Sequence, residues 1–198
     1  MKELINKQIQ ENIDASQKLL NEDLLKYSIE RATQFCLSSL TNNGKLMLLG
    51  NGGSAADCQH LAAEFVTRLN FDRPSLCAIA LTTDTSVMTA ISNDYDYDQV
   101  FSRQLKTIGS DGDTLIAIST SGNSNNVITA AKLANEMKIN VIGLTGEKIS
   151  KLHDHSDVIL NVPSSDTARI QEMHILIGHI ICTLVEKELF EDLRPLKK

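Results

Sequence analysis

Between residues 45 and 165 the chain repeats one pattern: a short apolar run, a polar loop, then a segment with apolar residues at helical spacing. The runs are Leu46–Leu49, Cys77–Leu81, Leu115–Ile118, Val141–Leu144 and Val158–Val162. A strand with one face in water alternates apolar and polar residues. These runs are nearly continuous, so they suit strands covered on both faces, as in a parallel sheet between two layers of helices. The expectation is an α/β chain built on a doubly wound, five-stranded parallel sheet.

Both ends read as helix. Residues 3–41 place Leu19, Leu20, Leu24, Leu25, Ile29, Ala32 and Phe35 at helical spacing and stop at Asn42-Asn43-Gly44, which predicts one or two helices. Residues 167–190 carry Ile170, Met173, Ile177, Ile180, Ile181, Leu184 and Val185 at intervals of three and four, the mark of one long amphipathic helix. The tail from Leu193 to Lys198 is expected to fray. With no linker or low-complexity stretch between the helical ends and the core at about 45–165, residues 1–198 are expected to form one domain.

Charge narrows the range of partners. The formal charge is −6, and Lys and Arg are scattered, so nothing resembles a footprint for nucleic acid or an anionic membrane. An anionic small molecule must then be held by local N–H and hydroxyl donors. Cys36, Cys58, Cys77 and Cys182 lie far apart in apolar surroundings without C-x-x-C spacing, which predicts reduced core thiols in a cytoplasmic protein. Residues 1–12 lack the apolar region of a secretion signal, and no run is long enough to span a bilayer.

The loop Ser119-Thr120-Ser121-Gly122-Asn123-Ser124-Asn125-Asn126 follows a strand run and opens a helix. Hydroxyls, a glycine and the free N–H groups of a helix start suit a phosphate. No lysine of the G-x-x-x-x-G-K-[ST] kind is present, so a phosphomonoester fits better than a nucleoside triphosphate. Gly50-Asn51-Gly52-Gly53-Ser54-Ala55 partly matches the dinucleotide fingerprint, yet its helix continues with Gln59, His60, Glu64 and Arg68. His60 and Glu64, four apart, share one helix face near the carboxyl end of a strand, where an imidazole and a carboxylate can act as an acid/base pair or bind metal. Asn93-Asp94 reads by itself as a turn signal. In the last helix Gln171, His174 and His179 interrupt the apolar pattern, the ordinary reading of such a histidine being a satisfied core residue. Gln171 and His179 stand about 12 Å apart along a helix, so they can serve one site only from its opposite ends.

Taken in order, Gly50-Asn51-Gly52-Gly53-Ser54, His60-x-x-x-Glu64, Asn93-Asp94, the Ser119–Ser124 loop and Arg169-Ile170-Gln171-Glu172 with His179 resemble the bacterial phosphoheptose isomerases of the sugar isomerase (SIS) domain superfamily. The resemblance runs from about residue 15 to residue 190. It implies a flavodoxin-like SIS domain that converts sedoheptulose 7-phosphate to D-glycero-D-manno-heptose 7-phosphate, the first step towards heptose for lipopolysaccharide or other surface polysaccharide. It further implies phosphate binding by Ser119, Thr120, Ser121 and Ser124. Substrate contacts are implied at Asn51, Gly52, Gly53, Ser54, Glu64, Asn93, Asp94 and Gln171, with Glu64 and His179 as the acid/base pair. A zinc ion in each subunit on His60, Glu64, Gln171 and His179, and a homotetramer with sites at subunit contacts, follow from the same resemblance. Ala168 departs from those members that carry aspartate just before Arg-Ile-Gln. The rival reading is a non-enzymatic SIS protein that binds the replication initiator DnaA; that branch lacks the residues matching Glu64 and His179. A sugar-phosphate-sensing regulator would need a DNA-binding module, which residues 1–40 do not supply.

Overall fold

The computed structural model describes residues 1–193. The N-terminal segment forms two helices, α1 (Lys2–Asn21) and α2 (Asp23–Thr41), because Glu22 between them takes an extended conformation. The rest runs β1 (Leu46–Gly50), α3 (Gly53–Val66), β2 (Ala78–Ala80), α4 (Thr85–Asp94), α5 (Val100–Ile108), β3 (Thr114–Ile118), α6 (Asn125–Glu136), β4 (Asn140–Thr145), β5 (Val158–Asn161) and α7 (Thr167–Phe190). The expectation for the tail beyond Leu193 lies outside the described residues.

The sheet is parallel with strand order β2-β1-β3-β4-β5, and β1 pairs with β3 from Leu46↔Thr114 to Gly50↔Ile118. The order reverses between β1 and β3, and ligands of open α/β sheets bind in the crevice at that point, beyond the carboxyl ends of the strands. The loops after β1 and β3 therefore lie side by side. Successive strand residues feed opposite cores. Leu46, Leu48, Ile116, Ile118, Ile142 and Leu144 pack with residues of α1, α2, α3 and α7. Met47, Leu49, Leu115, Ala117 and Val141 pack with α5 and α6, where Ala130, Ala131 and Ala134 are fully buried.

Three expectations need correction: the coverage of the edge strands, the burial of one cysteine and the turn at Asn93-Asp94. The run Cys77–Leu81 yields only three strand residues, and they are not buried on both faces: β2 is one edge of the sheet, Ile79 is 43% exposed and Cys77 is exposed, while at the other edge β5 leaves Ile159 and Asn161 half-buried. Cys77 is thus not a core thiol, whereas Cys36, Cys58 and Cys182 are buried and all four are free. Burial pushes the Cys36 thiol up to about 12, which makes it a poor nucleophile. Asn93 and Asp94 form no separate turn; they are the last residues of α4, both exposed.

His174 is core, as its place in the apolar face of α7 suggests, but only half satisfied. Its Nε2 lies 3.3 Å from the Thr145 carbonyl, and Nδ1 has no partner. Burial pushes its pKa down to about 4, with the Thr145 bond acting the other way. The unfolded chain takes up this proton near pH 6.5, while the folded chain refuses it until about 4. Stability present above pH 6.5 is therefore lost as pH falls, by about 3 kcal/mol at pH 4. Urea midpoints at pH 7 and pH 4 for wild type and His174→Gln check this: parallel losses in both would clear His174 as the source. Among the described residues no helix is long and apolar enough to cross a membrane.

Candidate active site

The Ser119–Ser124 loop joins β3 to α6 and is held by its own polar groups. Ser119 Oγ accepts from the Gly122 N–H at 3.1 Å and lies 3.1 Å from Ser124 Oγ. Ser124 is the N-cap of α6 but makes no capping bond with its side chain, so its hydroxyl stays available beside the positive end of the helix dipole. Gly122 has φ +63°, and a Cβ there would run into Ser150. The segment after β4 braces the loop from that side, with the Leu152 N–H donating to Gly122 O at 3.1 Å and the Lys151 N–H to Asn123 Oδ1 at 3.2 Å. Beside the loop opens a cavity of about 290 Å³ lined by Thr120, Ser121, Asn123, Lys148, Ser164 and Thr167.

Across the switch point, Asn51 and Asn126 pair through both carboxamides at 2.9 Å, and the Tyr97 hydroxyl donates to Asn51 Oδ1 at 2.9 Å. This ties the loops after β1 and β3 to the turn that follows α4. Gly52 has φ +57°, which favours glycine. Gly53 opens α3, and any Cβ on it would collide with the Gln171 carboxamide. Ser54 is buried behind them. Tyr97 was no part of the expected site, since it reads as part of an acidic turn, and Asn126 closed the expected loop without any sign of its pairing with Asn51.

Farther along α3 and α7 lies a second group. His60 Nε2 stands 2.8 Å from His179 Nε2 and 3.4 Å from Glu64 Oε1, and the ligating atoms of all three fall within 4.8 Å of one another. The two helices meet closely because Gly178, next to His179, packs on Leu61: a Cβ there would stand 2.6 Å from the Leu61 methyls. Asp57, one turn before His60, has a buried Oδ2 without a partner; burial raises its pKa, opposed by His60 and His179. The i, i+3 spacing to His60 was the available signal for it. Two imidazoles and a carboxylate form a donor set that suits zinc. Gln171 does not join them. Its carboxamide lies at Gly53, and about 12 Å of helix separates its backbone from that of His179. Asn93 and Asp94 sit at the exposed end of α4, bonded to each other at 2.9 Å.

Residues 9–146 match the family model of the SIS domain. A phosphoheptose isomerase of Sulfurimonas denitrificans is 50% identical over 192 residues, 97% of this chain and 98% of that protein. One from Aneurinibacillus thermoaerophilus is 48% identical, with 97% of each chain covered. The structure of the phosphoheptose isomerase of Neisseria gonorrhoeae superposes with a TM-score of 0.87 at 46% identity, covering 94% of this chain and 98% of that one. The chain belongs to the phosphoheptose isomerase family. These relatives give the DnaA-binding reading no support.

Proposed function

We propose that this enzyme interconverts sedoheptulose 7-phosphate and D-glycero-D-manno-heptose 7-phosphate, as the first step towards heptose for lipopolysaccharide or another surface polysaccharide. The observation that carries the reading is the meeting of His179 with the His60–Glu64 turn in a chain that also holds a hydroxyl-rich loop at a helix start. Ketose-to-aldose conversion removes a proton from C1 and protonates O2, giving an enediol; a proton then enters C2 as the O1 proton leaves. Glu64 is the group suited to the carbon-bound proton, and His179 to the oxygens. The phosphate loop anchors the far end of the sugar and fixes which carbons face the pair. The test is aldose formation from sedoheptulose 7-phosphate in D2O, with deuterium entering C2. Purified enzyme that binds the sugar phosphate but forms no aldose would sink the reading.

His60, Glu64 and His179 would hold zinc, which when bound polarises the substrate carbonyl. Protein purified without chelator should carry zinc, and chelation should lower the rate until zinc is returned. Full activity in metal-free protein would remove zinc from the reaction.

The position of Gln171 supports a site shared between copies, in which Gln171 and the phosphate loop of one chain face the trio of another. A homotetramer is the assembly proposed. Ile5, Ile9 and Ile13 form an exposed stripe along α1, and Leu24 and Tyr27 of α2 are exposed as well, more apolar surface than a lone chain normally leaves open. The free state of all four cysteines favours a cytoplasmic setting.

A further inference from the structure

Arg73 and Glu186 form a buried ion pair at the C-terminal end of α3, their side chains only 2% and 1% exposed. All three nitrogens of the Arg73 guanidinium donate. Nη2 donates to the main-chain carbonyl of Glu64 at 2.8 Å, Nη1 to those of Phe65 at 2.7 Å and Pro74 at 3.0 Å, and Nε to Glu186 Oε1 at 3.1 Å. Glu64 and Phe65 belong to the last turn of α3, whose carbonyls have no donor within the helix, and a cation there also meets the negative end of the helix dipole. Glu186 lies on α7, about 10 Å beyond His179. Its oxygens also accept from the N–H groups of Leu69 at 3.0 Å and Asn70 at 2.9 Å, and from the Asn70 carboxamide at 2.9 Å. Burial works to raise the Glu186 pKa, and these donors with Arg73 outweigh it, so the carboxyl sits below its usual range.

We propose that Arg73 is a positioning residue for the reaction, setting Glu64 against His179 by clamping the main chain of Glu64 to α7 through Glu186. The proposal rests on the acid/base assignment of Glu64 and His179. The apolar contacts between α3 and α7, such as Gly178 on Leu61, set how closely the helices approach, and directional bonds add a fixed orientation. A planar guanidinium with several fixed donors supplies that orientation, and lysine, a single point of charge, cannot span the same acceptors.

The experiment uses the full chain with Arg73→Lys, Glu64→Gln and the double variant, assayed on sedoheptulose 7-phosphate, with melting curves and light scattering on each. R73K should lower kcat about 10- to 100-fold, as a displacement near 1 Å at a reacting group does, with KM within about two-fold of wild type. In the E64Q background it should cause no further fall, because the group it positions is already disabled. Folded R73K with wild-type kcat overturns the proposal, as does an equal further fall in the E64Q background, which would mean that Arg73 acts elsewhere. If R73K does not fold, Glu186→Gln carries the same test, since it leaves the bonds from Arg73 to Glu64 and Phe65 intact while loosening their tie to α7. E64Q running at the wild-type rate overturns the acid/base assignment and this role with it.

Discussion

Glu64→Gln and His179→Gln should each lower kcat by about 10²–10⁴-fold while leaving KM for the sugar phosphate nearly unchanged, the usual cost of losing a general acid or base. Both side chains are partly exposed and neither fills the core, so both variants should fold. Glutamine keeps the size of Glu64 and an oxygen that can face His60, but it cannot take a proton from carbon. In place of His179 it removes the one imidazole that α7 contributes to the trio. Exchange of solvent deuterium into C2 should fall in step with turnover. A folded variant of either kind with wild-type kcat would show that the pair does not carry the chemistry.

Removing both hydroxyls of the anion loop, as Ser119→Ala with Ser124→Ala, should raise KM by about 10²-fold. A hydrogen bond to a charged group contributes about 1.5–3 kcal/mol, and each 1.4 kcal/mol is tenfold. Ser119 Oγ also holds the Gly122 N–H, so the loop loses some of its own order. An unchanged KM would take the loop out of the site. The same double variant tests the shared site. Co-expressed with Glu64→Gln chains, it should recover isomerase activity, since mixed oligomers contain sites that combine an intact loop from one copy with an intact trio from another. Activity no higher than the sum of the separate variants would mean that each chain completes its own site.

The parallel sheet was legible because its strand runs are nearly continuous in apolar residues, as suits the central strands β1, β3 and β4, which are almost wholly buried on both faces. β2 misled for a physical reason: Cys77–Leu81 is as apolar as the others, but sequence does not say which strand stands at the edge, and the edge strand keeps Ile79 in solvent. The site divides similarly. The Ser119–Ser124 loop and the His60–Glu64 pair are local patterns and can be read from spacing. The Asn51–Asn126 pair, the Tyr97 contact and the Arg73–Glu186 clamp join residues far apart in the chain, and no local periodicity encodes them. Gln171 was grouped with His179 through the family resemblance, and helix geometry separates them within one chain.

The alanines of α6 have a consequence for the loop that precedes it. Because Ala130, Ala131 and Ala134 meet the sheet with single methyl groups in the same core as Ala117 of β3, few rotamers exist in which the helix can shift against its strand. Strand and helix hold the two ends of the Ser119–Ser124 loop at a fixed separation, and the segment after β4 blocks its flank. The loop is therefore held in one shape by its own fold, and in the proposed reaction it would meet the phosphate without rearranging. Little conformational entropy would then be lost on binding, and more of the phosphate's interaction energy would remain to orient the reacting carbons.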